Sequence, residues 1–196
     1  MRWLPNGISL LRIALVFPTI GSLLRDEYPA ALLLVVVASI SDALDGFLAR
    51  RFQWTSRLGS FLDPIADKLL VAGLYLTLTF LEALPLWLLA VVLLRDVVIV
   101  AGAAAYRFVV GPLVMAPTRL SKLNTGLQFS LVVSVLVMLA FPTLEALEAI
   151  LNPWAFVLVA STSLLSGAQY VINWSARARA LRRGSADSRS PANGAH

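Results

Sequence analysis

A chain of 196 residues that is 59% hydrophobic and 14% charged, with mean hydropathy +0.81, is far more apolar than a soluble domain, where about half the residues are apolar and about a quarter charged. It has no cysteine, and its single histidine is the last residue, His196. That leaves no disulfide, thiolate metal site or cysteine nucleophile, and it argues against histidine chemistry. The net charge of +5 comes from cations gathered at the ends of apolar runs, a pattern of membrane topology and not of nucleic-acid binding.

Several runs approach the roughly 20 apolar residues that a spanning helix needs. The opening MRWLPNGISLLRIAL has no small-residue cleavage site, and Asn6 and Arg12 interrupt it, so it reads as the start of a first helix (5–24) and not as a removable signal. A polar turn, Arg25-Asp26-Glu27, leads to a second helix over 29–52, which carries Asp42, Asp45, Gly46, Ala49 and Arg50 near its end. After a short polar loop, a third helix (59–83) opens with Asp63, Pro64 and Asp67 before turning apolar. Leu84-Pro85 breaks it, and a fourth helix (86–108) holds Arg95-Asp96 in its middle. A fifth (118–141) opens with Arg119, Ser121, Lys122 and Asn124. The sixth runs from about 152 to 181. The expected organisation is one transmembrane domain over 1–182 and a small, polar, disordered tail over 183–196.

One side of this arrangement collects Arg2, Arg50, Arg51, Arg57, Arg107, Arg119, Lys122, the run from Arg177 to Arg183 and Arg189, while the other has Arg25 among acids. The positive-inside rule then puts both termini in the cytoplasm, which requires an even number of spans and fits six. The expected fold is therefore an all-α integral membrane protein with six transmembrane helices. The tryptophans Trp3, Trp54, Trp87, Trp154 and Trp174 mostly fall near helix ends, where interfacial anchoring is the ordinary role.

The stretch DALDGFLARRFQWTSRLGSFLDPIAD, residues 42–67, holds the chemistry. Ionisable residues at membrane depth are expensive and mark functional sites, and four confined carboxylates need a positive counter-charge. Asp42 and Asp45 are three apart and Asp63 and Asp67 four apart, so each pair shares one helix face. Two facing pairs make an all-oxygen cage suited to Mg2+ or Mn2+, and two such ions would clamp a diphosphate. Gly46 and Gly59 would permit close backbone approach, and Arg50 would meet a phosphate. Plainer roles compete: Asp63-Pro64 is a good helix N-cap, Lys68 fits a snorkelling or ion-paired residue, and Arg95-Asp96 fits either a structural pair or a phosphate contact.

The spacing Asp42-x2-Asp45-Gly46-x2-Ala49-Arg50-x8-Gly59-x3-Asp63-x3-Asp67 resembles, at every position, the signature of the CDP-alcohol phosphotransferase family. That resemblance implies a metal-dependent transferase of phospholipid synthesis, in which an acceptor hydroxyl displaces CMP from a CDP-linked lipid such as CDP-diacylglycerol. It further implies that Asp42, Asp45, Asp63 and Asp67 ligate two metal ions, with Asp67 also the general base. Gly46, Ala49, Arg50, Gly59 and Ser60 would form the CDP pocket, joined by Asn6 and Arg12 of an opening Pro5-Asn6-x2-Ser9-x2-Arg12 that is similar to the family's, with Ser9 where threonine is commoner. Arg95, Arg119 and Lys122 would bind the acceptor's phosphate. The segments RDVVIVAGAAAYRF and PTRLSKLNTGLQ resemble the cardiolipin-forming branch, which uses phosphatidylglycerol as acceptor. A branch that uses glycerol 3-phosphate is the alternative. A homodimer in a bacterial cytoplasmic membrane, with the site facing the cytosol, completes the expectation. A membrane prenyltransferase would also use intramembrane acids, but its two clusters normally lie on helices far apart in a longer chain, and a metal-ion transporter would leave Gly46, Ala49-Arg50 and Gly59 unexplained.

Overall fold

The computed structural model describes the backbone of residues 4–52, 59–109 and 118–187, with side chains over 10–41, 44, 68–104, 118–144 and 153–175. Among the described residues the chain is entirely helical: α1 (Leu4–Leu23), α2 (Tyr28–Phe52), α3 (Gly59–Phe80), α4 (Leu86–Val109), α5 (Arg119–Ala140) and α6 (Glu145–Asp187), with one 3-10 turn at Pro142–Leu144. Among the described residues, three helices hold apolar spans long enough to cross a bilayer, Leu86–Ala104, Arg119–Ala140 and Pro153–Ser175, and shorter apolar runs occupy Leu10–Leu23, Tyr28–Ser41 and Lys68–Phe80.

Local chemistry sets the helix ends. α5 starts at an N-cap, Thr118, whose hydroxyl accepts a bond from the Ser121 N–H at 3.1 Å. α1 and α3 end alike. Asp26 and Glu82 take left-handed φ values of 59° and 60°, and the next N–H reaches back to satisfy a last-turn carbonyl, Glu27 to Ser22 and Ala83 to Leu78, each at 2.9 Å. This Schellman closure stops α3 at Phe80, short of the expected residue 83. α6 departs furthest from expectation. It begins at Glu145, carries Pro153 inside it, and continues to Asp187, past the expected end at 181 and into the stretch read as tail; residues 188–196 lie outside the described residues.

α1 packs on both α2 and α3, α6 packs on both α4 and α5, and α2 against α5 joins the two groups. The buried apolar cluster gathers Leu23 of α1, Ala31 and Val35 of α2, Leu74 and Leu78 of α3, Leu88 of α4, Leu136 of α5 and Val159 of α6. These residues come from the late parts of α1, α3 and α5 and the early parts of α2, α4 and α6. The helices therefore alternate in direction.

The exterior is apolar too. Phe17, Phe80, Leu86, Leu94, Val97, Leu164 and Leu165 are all more than half exposed, an outer surface suited to hydrocarbon and far larger than a soluble monomer presents. Several hydroxyls within the helices are satisfied internally: Thr19, Ser39, Thr77 and Ser134 each donate to the carbonyl four residues earlier, as suits a medium without water.

Trp174 is a packing residue and not an interfacial anchor. It is buried, its ring centroid lies 5.4 Å from that of Tyr170, and its six-membered ring fills the space where a Cβ on Gly102 of α4 would go. Trp87, at the start of α4, and Trp154, at the start of the apolar span of α6, are exposed as anchors would be; Trp3 and Trp54 lie outside the described residues. Gly102→Ala should therefore destabilise the α4–α6 contact by about 1–3 kcal/mol through overpacking. A thermal melt of the variant in detergent checks this, and Trp174→Phe should recover part of the loss.

Candidate active site

The acidic positions can be placed by helix register. Asp42 and Asp45 are residues of α2, and Asp63 and Asp67 are residues of the first turns of α3; their side chains lie outside the described residues, as do those of Asn6, Gly46, Ala49, Arg50, Gly59 and Ser60. A cavity of about 510 Å³ lies beside these positions, lined by Arg12 of α1, Ala38 and Ser39 of α2, Leu70 and Val71 of α3, and Ser121, Lys122, Thr125, Gly126 and Phe129 of α5. Asp42 is one helical turn past Ala38, and Asp67 is one turn before Leu70 and Val71. The i, i+3 and i, i+4 offsets put each on the same face as its neighbour. The cavity and the acidic positions of both helices are thus contiguous along the helices.

Two expected site residues meet in this cavity. Arg12 is 2% exposed, a fully desolvated cation within an apolar bundle. Lys122 is exposed on the opposite wall. Arg119 is exposed at the first turn of α5 and is not part of the lining. The other lining residues of α5 were missed from sequence, although their signal was present: 121, 122, 125, 126 and 129 are helical neighbours forming one stripe.

Arg95 sits elsewhere. Its guanidinium is 6% exposed and donates through Nη1 to Asp96 Oδ1 at 2.6 Å and through Nη2 to Ser121 Oγ at 2.7 Å and Ser166 Oγ at 3.1 Å. Asp96 also receives Lys68 Nζ at 2.9 Å, so Lys68 is ion-paired. A continuous charged and hydroxylated chain therefore runs from α3 through α4 to α5 and α6, one residue after Asp67. Below it, Asn124 Oδ1 accepts from Ser163 Oγ at 2.9 Å and lies 2.9 Å from Thr162 Oγ1, while Gln128 Nε2 donates to Ser163 at 3.2 Å. This buried ladder fixes α5 on α6, and α5 carries Lys122 on its other face.

The donor set fits a hard divalent cation. Four carboxylate positions continue, by register, the faces of α2 and α3 that line the cavity, and the chain has neither cysteine nor an internal histidine to favour a softer metal. Among the described residues no cluster of acidic or histidine side chains forms a metal site elsewhere.

Known proteins place this arrangement. The chain is 34% identical over 184 residues to the cardiolipin synthase (CMP-forming) of Homo sapiens, covering 85% of this chain and 60% of that protein. It is 35% identical over 144 residues to a probable cardiolipin synthase (CMP-forming) of Drosophila melanogaster, covering 65% of this chain and 44% of that protein. It is also 33% identical over 190 residues to the CDP-diacylglycerol–glycerol-3-phosphate 3-phosphatidyltransferase of Bacillus subtilis, covering 88% of this chain and 96% of that protein. The chain thus spans about half of the length of the animal synthases, from 44% to 60%, and almost all of the bacterial enzyme. The CDP-alcohol phosphatidyltransferase family profile matches residues 2–176, nearly the whole described bundle, and the chain belongs to the CDP-alcohol phosphatidyltransferase family.

Proposed function

We propose that this protein transfers a phosphatidyl group from CDP-diacylglycerol to an acceptor hydroxyl with release of CMP, and that the acceptor is phosphatidylglycerol and the product cardiolipin. The observation that carries the reading is the cavity between α1, α2, α3 and α5, which is lined by Arg12 and Lys122 with apolar residues and whose α2 and α3 faces run on, by register, to the four acidic positions. Such a site suits a ligand that joins phosphates to a lipid.

Asp42, Asp45, Asp63 and Asp67 would hold two Mg2+ or Mn2+ ions, which when bound supply the counter-charge for a diphosphate. The acceptor oxygen attacks the phosphorus that bears the diacylglycerol group, the bond from that phosphorus to the CMP oxygen breaks, and Asp67 takes the acceptor's proton. Arg50, with Asn6 and Arg12, holds the nucleotide's phosphates, and Gly46, Ala49, Gly59 and Ser60 leave room for it. Lys122 and Arg119 bind the acceptor's phosphate. The three long and three shorter apolar runs support six spans, and the cation asymmetry of the sequence supports both termini and the site on the cytoplasmic side.

A second reading, with glycerol 3-phosphate as acceptor, is favoured by the near-complete coverage of the Bacillus subtilis relative. CMP release by purified protein separates the two. Faster release with phosphatidylglycerol than with glycerol 3-phosphate, and cardiolipin identified by mass, is the expected result. Turnover with glycerol 3-phosphate alone would move the acceptor assignment to the second reading.

A further inference from the structure

The cavity's lining changes character along α5. Lys122 stands nearest the acidic end; Thr125 and Gly126 come one turn deeper, about 6 Å further along the axis at 1.5 Å per residue; Phe129 lies one turn beyond them. Opposite are apolar Ala38, Leu70 and Val71. Lys122, Thr125 and Gly126 are exposed whereas Arg12, Ala38 and Leu70 are buried, so the cavity opens to the exterior along α5. The flanking exterior is apolar, with Leu123 and Ile40 more than half exposed. A Cβ built on Gly126 meets no atom within 4 Å. This glycine therefore serves no close helix–helix approach, yet in a helix interior it carries an entropic penalty that alanine would avoid.

We propose that Gly126 is a specificity-determining residue, whose missing side chain leaves the space through which a glycerophospholipid acceptor, phosphate at Lys122 and acyl-bearing glycerol at Gly126 and Phe129, enters from the bilayer. Charge complementarity favours an anionic lipid, since Lys122 is an exposed cation at the cavity wall. The volume, about 510 Å³, lies within the roughly 300–1,000 Å³ of ligand-enclosing sites. The inference rests on the phosphatidyl-transfer reading above.

The test is a graded series, Gly126→Ala, Gly126→Val and Gly126→Leu, in purified full-length protein. Misfits of about one methylene in an apolar pocket change selection by roughly 10–200-fold. The specificity constant for phosphatidylglycerol should fall stepwise to about a tenth or less by leucine, while the KM for CDP-diacylglycerol stays constant. A second readout needs no turnover. Metal-free protein in detergent should gain thermal stability from added phosphatidylglycerol, and the gain should shrink along the same series. A KM for CDP-diacylglycerol that rises in step would assign the space to the donor and overturn the proposal. So would phosphatidylglycerol constants and thermal shifts that ignore the series. If the unaltered protein makes no product from phosphatidylglycerol, the acceptor reading itself falls, and the thermal series still decides whether the lipid occupies the cavity.

Discussion

Asp67→Asn should abolish most CMP release while leaving the bundle intact. Asparagine keeps the size and the helical position but cannot take the acceptor's proton, and loss of general-base action alone lowers turnover on the order of 10²–10⁴-fold. Loss of a metal-ligand oxygen would deepen the defect. The measurement is CMP formed from CDP-diacylglycerol at saturating acceptor, beside a thermal melt showing that the variant folds. Folded Asp67→Asn protein releasing CMP at the unaltered rate would falsify the role given to this acid. The prediction follows from register: Asp67 sits one turn before Leu70 and Val71, which line the cavity, so whatever the cavity binds lies within reach of its helix face.

The second large effect concerns folding. Arg95→Met should lower stability by about 3–5 kcal/mol, the usual consequence of removing one partner from a buried ion pair. At about 2–4 °C per kcal/mol for a chain of this size, the melt should shift on the order of 10 °C. Three partners lose their donor together: Asp96, already 25% exposed and left with Lys68 alone, and the hydroxyls of Ser121 and Ser166. An arginine bound mainly to acceptor phosphate would behave differently, raising the acceptor's KM with little change in the melt. The two readouts therefore separate a structural hub from a substrate ligand, and the hydrogen bonds favour the hub.

Sequence patterning located the helices well where apolar runs coincide with helix ends. Arg25-Asp26-Glu27 and Leu84-Pro85 interrupt hydropathy at the same places where the backbone turns left-handed or restarts. For α6 hydropathy and helix part company. Glu145-Ala-Leu-Glu-Ala and the arginine-rich run after Trp174 are strong helix formers without being apolar, so the helix outlasts its span at both ends. Trp174 was misread for a related reason. Position near an apolar boundary suggests an interface, whereas its partner, Gly102, lies 72 residues away in sequence and is met only through tertiary packing. The acid spacing was legible because both pairs are local to one helix each. The cavity was not, because four helices contribute its walls and only their assembly brings Ser39, Leu70 and Gly126 together. The polar rungs at 121, 124 and 128 were visible as a helical stripe, but their partners on α6 were not.

The pairing of Arg95 with its own neighbour Asp96 has a consequence for biogenesis. A lone arginine at the centre of a spanning helix costs about 2.5–3.5 kcal/mol to insert, and α4 must enter the bilayer before α5 and α6 have emerged to solvate it. Because the carboxylate is adjacent in the chain, α4 carries its own counter-ion and can enter nearly neutral, and Lys68 of the earlier α3 gives that carboxylate a second partner. The serines of α5 and α6 then arrive at a guanidinium already seated in the membrane, and their docking closes the bundle.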